Sequence, residues 1–242
     1  MSRLRVGVLI SGRGSNLRAL LAACANDTYP AEIVSVISDR IEAPGLAFAQ
    51  SAGIHSAVIP HQDREAFAAR AEVVLRDQRA QLVCLAGFMR VLDAAFVDAW
   101  HDGMINIHPS LLPAFPGLHP QRQALVAGVR FTGCTVHFVR RQVDAGPIIA
   151  QAVVPTRPDD DEASLSARIL GVEHRLYPLT VRLIAEGRVN VIAGKVQIAS
   201  IVIFADIESD APQAAASLSV VLLVISLLVL FGLRRWGARV AH

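Results

Sequence analysis

The sequence predicts a doubly wound α/β fold: a mostly parallel sheet with an antiparallel edge, followed by a C-terminal hydrophobic helix. Three observations predict it. Apolar strand-like runs alternate with helix-like segments from residue 5 to about 184, which is the pattern of βαβ units. The early runs are almost continuously apolar, as strands covered on both faces are. The last segment is different in kind: Ala214 to Leu233 is 20 residues without a charge, and as a helix it would span about 30 Å, the thickness of a hydrocarbon core.

Taken in order, Arg5–Ile10 reads as the first strand and runs into the turn Ser11 to Asn16, which opens a helix over Asn16–Ala25. Further strands are read at Ile33–Ser38, Ala57–Ile59, Leu82–Ala86 and Met104–Ile107, separated by helices at Pro44–Ala52, Arg64–Arg79 and Ala94–Trp100. A helix over Gln121–Ala127 follows. Cys134–Phe138 and Ile148–Val153 then read as two strands joined by a turn at Asp144 to Pro147, which suits an antiparallel edge. Pro155 to Glu162 reads as a solvated acidic loop, and a long helix covers Ser164–Ile184.

The 242 residues suffice for one good-sized α/β domain with extra elements. A net charge of +2 gives no bulk electrostatic case for nucleic acid. Cys24, Cys84 and Cys134 lie far apart in or beside apolar runs, so they read as buried thiols in a reducing compartment. No clustered His and Cys spacing suggests a metal. The N-terminus reads as a strand rather than a secretory signal.

The richest stretch runs from Met104 to Pro113. Side chains alternate along a strand, so Asn106 and His108 share a face. The strand ends at Pro109, and open α/β sheets place ligands at the carboxyl ends of their strands. A carboxamide and an imidazole there could hold a developing oxyanion and move a proton; a structural histidine is the plainer reading. In the turn Ser11 to Asn16, glycines and a helix start suit an anion, although any tight βα turn carries glycines. The spacing is neither the dinucleotide fingerprint nor a Walker loop. Asp144 either caps its turn or stands beside His108, where a carboxylate favours the protonated ring.

The string from Asn106 to Pro113, continued by Phe115 to His119, resembles the folate-dependent formyltransferase family, and most closely its phosphoribosylglycinamide branch. Val139 to Ile149 resembles the family's second signature, with Asp144 in place, and the likeness extends over residues 3–196. The resemblance implies transfer of a formyl group from 10-formyltetrahydrofolate to the amine of 5′-phosphoribosylglycinamide in purine biosynthesis, with no metal. It implies Asn106, His108 and Asp144 as the catalytic set. Gly14, Ser15, Asn16 and Glu173 correspond to contacts of the phosphorylated acceptor. Arg64, Met89, Arg90, Val91 and Leu92, with Asn106, correspond to the folate pocket. Leu170 departs from the polar residue some relatives carry. His119, His137 and His174 are expected to be structural, and His55, His61, His101 and His242 exposed.

Residues 1–196 are therefore expected to form a cytoplasmic catalytic domain acting on small molecules and not on nucleic acid. Residues 197–242 are expected to be a tail outside the family, whose segment 214–233 would associate with a membrane. The tail resembles the last membrane helix of an ABC-transporter permease, and Arg234, Arg235, Arg239 and Trp236 follow the span as interface residues do. Two alternatives lie within the family: methionyl-tRNA formyltransferase, which adds an RNA-binding domain, and formyltetrahydrofolate hydrolase, which adds an N-terminal regulatory domain. From another class, the chain could be an inactive membrane-associated interaction protein; intact Asn106, His108 and Asp144 argue against that.

Overall fold

The computed structural model describes residues 2–192 and 194–198. The strands are β1 (Leu4–Ile10), β2 (Ala31–Ser38), β3 (His55–Val58), β4 (Leu82–Leu85), β5 (Met104–His108), β6 (Phe131–Phe138) and β7 (Ile148–Pro155). They form one sheet in the order β3-β2-β1-β4-β5-β6-β7. The first five are parallel, whereas β5–β6 and β6–β7 are antiparallel. The helices are α1 (Ser15–Cys24), α2 (Gly45–Ser51), α3 (Arg64–Asp77), α4 (Ala94–Ala99), α5 (Pro120–Ala127) and α6 (Glu162–Ala185).

Strand periodicity decides which face each residue buries. Val6, Val8 and Ile10 of β1, with Leu82 and Cys84 of β4, pack beneath α1 and α6. Leu9, Val83 and Leu85 point the other way, against Phe67, Ala71 and Leu75 of α3 and Phe96 of α4. Both faces are covered, which is why these strands read as unbroken apolar runs. Gly7 leaves room for the α3 side: a Cβ there would lie 2.2 Å from Leu75 Cδ2, so that buried side chain would have to move.

Several boundaries differ from the sequence reading. β6 starts at Phe131 rather than Cys134, because Phe131 already pairs with Pro155 across the antiparallel ladder. β3 starts and ends one or two residues earlier than Ala57–Ile59. A two-stranded hairpin, β8 (Val189–Ile192) with β9 (Lys195–Ile198), was not foreseen. The acidic loop is not simply solvated: Asp160 is buried against Arg168 at 2.6 Å, and Asp161 caps α6 by accepting from the Ser164 N–H. His61 is not exposed but half-buried against Phe67, with ring centroids 5.0 Å apart. The tail from 199 onward, including the expected helix at 214–233, lies outside the described residues. Among the described residues no helix is long and apolar enough to cross a membrane.

β1 lies between β2 and β4, so the chain's winding reverses beside it. Such a reversal opens a crevice over the strand ends. The loops after β1, β2, β4 and β5 all emerge there, and a cavity of about 810 Å³ runs between them and α6.

Candidate active site

One wall of the cavity is the glycine loop. Gly14, the N-cap of α1, has φ +71° and makes no side-chain cap. A left-handed φ favours glycine, and space requires it: a Cβ on Gly14 would lie 2.6 Å from Gly45 Cα. The Gly45 N–H donates to the Gly12 carbonyl at 3.0 Å, so α2 holds the loop from behind. Without a side-chain cap, the first amides of α1 face the crevice with the helix's positive end, which suits a phosphate. Asn16 turns inward, and its Nδ2 donates to Glu173 Oε2 at 2.8 Å. Glu173 is 5 % exposed. Burial pushes its carboxyl up to about 7, against the opposing effect of the Asn16 hydrogen bond. Asn16 Oδ1 is buried with no partner, as a polar atom awaiting a ligand would be.

The opposite wall is the end of β5. The antiparallel register sets Asn106 directly across from His137, and His108 across from Thr135. His108 Nδ1 lies 3.4 Å from Asp144 Oδ2. Its Nε2 lies 3.0 Å from the Phe115 carbonyl, so each ring nitrogen faces an oxygen acceptor. Asp144 also accepts the Gly117 N–H at 2.8 Å, and its backbone has φ +53°. Thr135 Oγ1 donates to the Ser110 carbonyl and accepts from the Leu112 N–H, which fixes the loop beyond His108. Ile107 and Pro109 border the cavity, whereas the His108 side chain is covered, at 7 % exposure.

His137 was expected to be structural, and it belongs to this cluster instead. Its Nδ1 lies 2.9 Å from the Phe138 carbonyl, so Nδ1 must carry the proton. Nε2 then accepts from Asn106 Nδ2 at 3.3 Å. Burial holds the ring below the usual imidazole range and keeps it neutral. With Nε2 a lone-pair site, its approach to Asp144 Oδ1 at 3.8 Å is proximity rather than a hydrogen bond. The signal available in the sequence was register: pairing β5 against β6 places position 137 opposite 106.

The third wall is the loop Gly87 to Leu92 after β4. Met89 and Val91 are exposed, while Leu92 is partly buried against the α3 side of the core. Met89 and Arg90 border the cavity. Arg90 Nε donates to Asp39 Oδ2 at 2.9 Å. Arg64 stands apart: it opens α3, is exposed, and borders neither cavity over the strand ends. Leu170 lines the α6 side of the main cavity beside Glu173. His119 and His174 lie outside the Asn106–His108–Asp144 cluster; His119 is the exposed N-cap of α5. Among the described residues no group of three or more His, Cys, Asp or Glu side chains is placed to hold a metal ion.

Residues 4–181 match the model of a family described as formyl transferase. The chain is 42 % identical over 190 residues to phosphoribosylglycinamide formyltransferase of Escherichia coli K12, covering 77 % of this chain and 90 % of that one. It is 51 % identical over 190 residues to the trifunctional purine biosynthetic protein adenosine-3 of Drosophila melanogaster, covering 76 % of this chain. The match spans only 14 % of that much longer relative. The crystal structure of glycinamide ribonucleotide transformylase 1 from Symbiobacterium toebii superposes with a TM-score of 0.79 at 47 % identity, covering 82 % of this chain and 95 % of that one.

Proposed function

The chain belongs to the formyl transferase family, and from that premise we propose that it moves a formyl group from 10-formyltetrahydrofolate to the amine of 5′-phosphoribosylglycinamide, a step of purine biosynthesis. The observation that carries this reading is a crevice that has a glycine loop suited to phosphate on one side and, on the other, Ile107 and Pro109, the chain neighbours of His108 in a buried Asn106–His108–Asp144 cluster.

The acceptor's phosphate rests on the loop Gly14, Ser15 and Asn16, and Glu173 receives its ribose hydroxyls. The donor lies along Gly87 to Leu92, where exposed Met89 and Val91 offer apolar surface and the backbone offers hydrogen bonds. Its glutamate end is directed past Arg90 and out of the crevice into solvent, the side on which the resemblance sets Arg64. The amine lone pair attacks the formyl carbon and the carbonyl π pair moves to oxygen. The second N–H of Asn106 donates to that oxygen while the first stays on His137. His108 exchanges the Phe115 carbonyl for the same oxygen, while Asp144 holds the ring by its other nitrogen. Collapse breaks the bond to the folate nitrogen. The proton lost by the amine passes through the His108–Asp144 pair to that leaving nitrogen, so the reaction balances without metal chemistry.

Formation of formylated acceptor from both substrates tests the assignment. Formate release at the same rate without acceptor would replace it with the hydrolase reading. Residues 1–196 are proposed as the catalytic domain, acting in the cytoplasm where both substrates are found. A chain ending after Ile198 is expected to keep full turnover; an inactive truncation rescued by the tail would move the boundary. The association of 214–233 with membranes is read by fractionating the full-length chain, and recovery wholly in the soluble fraction overturns it.

A further inference from the structure

Ser11 stands where the two substrate loops meet. It follows β1, begins the glycine loop and is 5 % exposed. It borders both the main cavity and a second one over the ends of β2 and β3. Its N–H donates to the Gly87 carbonyl at 3.1 Å, and its Oγ accepts the Met89 N–H at 2.9 Å. A hydroxyl that only accepts keeps its own proton to give. Among the described residues nothing takes that proton.

A second tie crosses the same place. β2 and β4 flank β1, so the Asp39–Arg90 pair spans the end of β1. The Asp39 side chain has no exposed surface, while that of Arg90 is 45 % exposed. Asp39 Oδ1 has no partner, so Arg90 Nε is the carboxylate's single hydrogen-bond donor among the described residues. A buried carboxylate with one donor holds that donor firmly, because losing it strands a charge. Phe88 and Leu92 anchor the loop in the core on the α3 side, but Met89 and Val91 are 71 % and 47 % exposed, so the tip that would meet a ligand has little apolar packing of its own.

We infer that Ser11 and Asp39 are positioning residues that join the acceptor's loop to the donor's loop, so that filling either site organises the other. The inference rests on the loop assignments proposed above. A phosphate oxygen on the glycine loop accepts a hydrogen bond from the Ser11 hydroxyl, which orients and polarises the Oγ that receives the Met89 N–H. A folate on the Gly87–Leu92 backbone fixes the same contact from the other side. Once one ligand has ordered the shared element, the second no longer bears that entropy, and the gain is equal in both directions.

The test uses the full-length protein, the deformylated folate product, and ribose 5-phosphate, which reaches the glycine loop but carries no amine to touch the donor. Saturating ribose 5-phosphate is expected to tighten folate binding about fivefold, the low end of ordinary coupling. The reverse titration should give the same factor. In Ser11→Ala and in Asp39→Asn the factor should fall close to one; each ligand should still bind alone to Asp39→Asn, while Ser11→Ala should still bind the folate and hold ribose 5-phosphate more weakly. Binding of both ligands without coupling in the unmodified protein, or an undiminished factor in both variants, overturns the inference alone. Failure to bind either ligand overturns the loop assignment and the inference with it.

Discussion

The two ends of the crevice are built on different principles. At the β5–β6 junction the strands are antiparallel, and register alone sets Asn106 against His137 and His108 against Thr135. The groups proposed to react are side chains, buried and held on fixed partners. At the β1–β4 junction the strands are parallel, and what the chain offers is backbone: the amides of a glycine turn and an exposed loop tied down at Ser11 and Asp39. Chemistry that depends on a carboxamide and an imidazole meeting one oxygen needs side chains fixed by a ladder. Recognition of an anion needs close backbone approach, which glycine permits and a ladder does not.

The largest expected effect breaks the first end. His108→Ala and Asn106→Ala should each lower turnover on the order of a hundredfold or more, the scale of losing one oxyanion donor, with acceptor affinity little changed. Steady-state kinetics on variants of confirmed fold decide it. Near-normal turnover in either would remove that residue from the mechanism.

Next comes a break at the second end. Gly14→Ala forces an alanine to φ +71° and drives its Cβ to 2.6 Å from Gly45 Cα. The loop must shift, so the KM for phosphorylated acceptor should rise on the order of tenfold or more, with a stability loss of about 1–3 kcal/mol for the strained backbone. The KM for the folate should change less. If both KM values rise equally, the loop serves the whole crevice and the contrast between its ends is too sharp.

How far the sequence exposed each end follows from the same contrast. The parallel strands were legible because burial on both faces leaves unbroken apolar runs, as in Val6 to Ile10. Asn106 and His108 were legible because strand alternation is local. His137 was not, because nothing within its own strand reports what the neighbouring strand carries; only pairing does. Asp160 was misread for a similar reason: its partner Arg168 lies on the helix beyond the loop, and a run of three aspartates shows charge but not which carboxylate turns inward. Arg64 came from resemblance alone, and it stands exposed at the start of α3, away from the crevice.

His137→Ala sharpens the claim that register does the positioning. Asn106 would keep its place on β5 but lose the acceptor that orients its carboxamide. Turnover should fall about tenfold, less than for Asn106→Ala, since a free carboxamide still finds the oxyanion part of the time. Glutamine at 137 offers another acceptor and should recover part of the loss. A variant with unchanged turnover would show that Asn106 is held by its backbone alone.

The smallest expected effect separates the ends by the sign of their pH dependence. Burial pushes Glu173 up to about 7 from its ordinary 4.5. Between those values the folded chain holds a proton that the unfolded chain has released, so this residue's contribution to stability declines as pH rises through that window. Burial moves His137 below its ordinary 6.5. The unfolded ring therefore takes up a proton first, and the stabilisation it gives at neutral pH is lost as pH falls. Glu173→Gln keeps an acceptor for Asn16 and removes only the titration. Denaturant midpoints measured from pH 5 to 8 should show a flatter decline in the variant, by on the order of 1–3 kcal/mol across the window, with turnover changed no more than a few-fold. Parallel profiles in the two proteins would mean that Glu173 stays ionised in the fold, so that the acceptor end already carries a buried negative charge before any phosphate arrives.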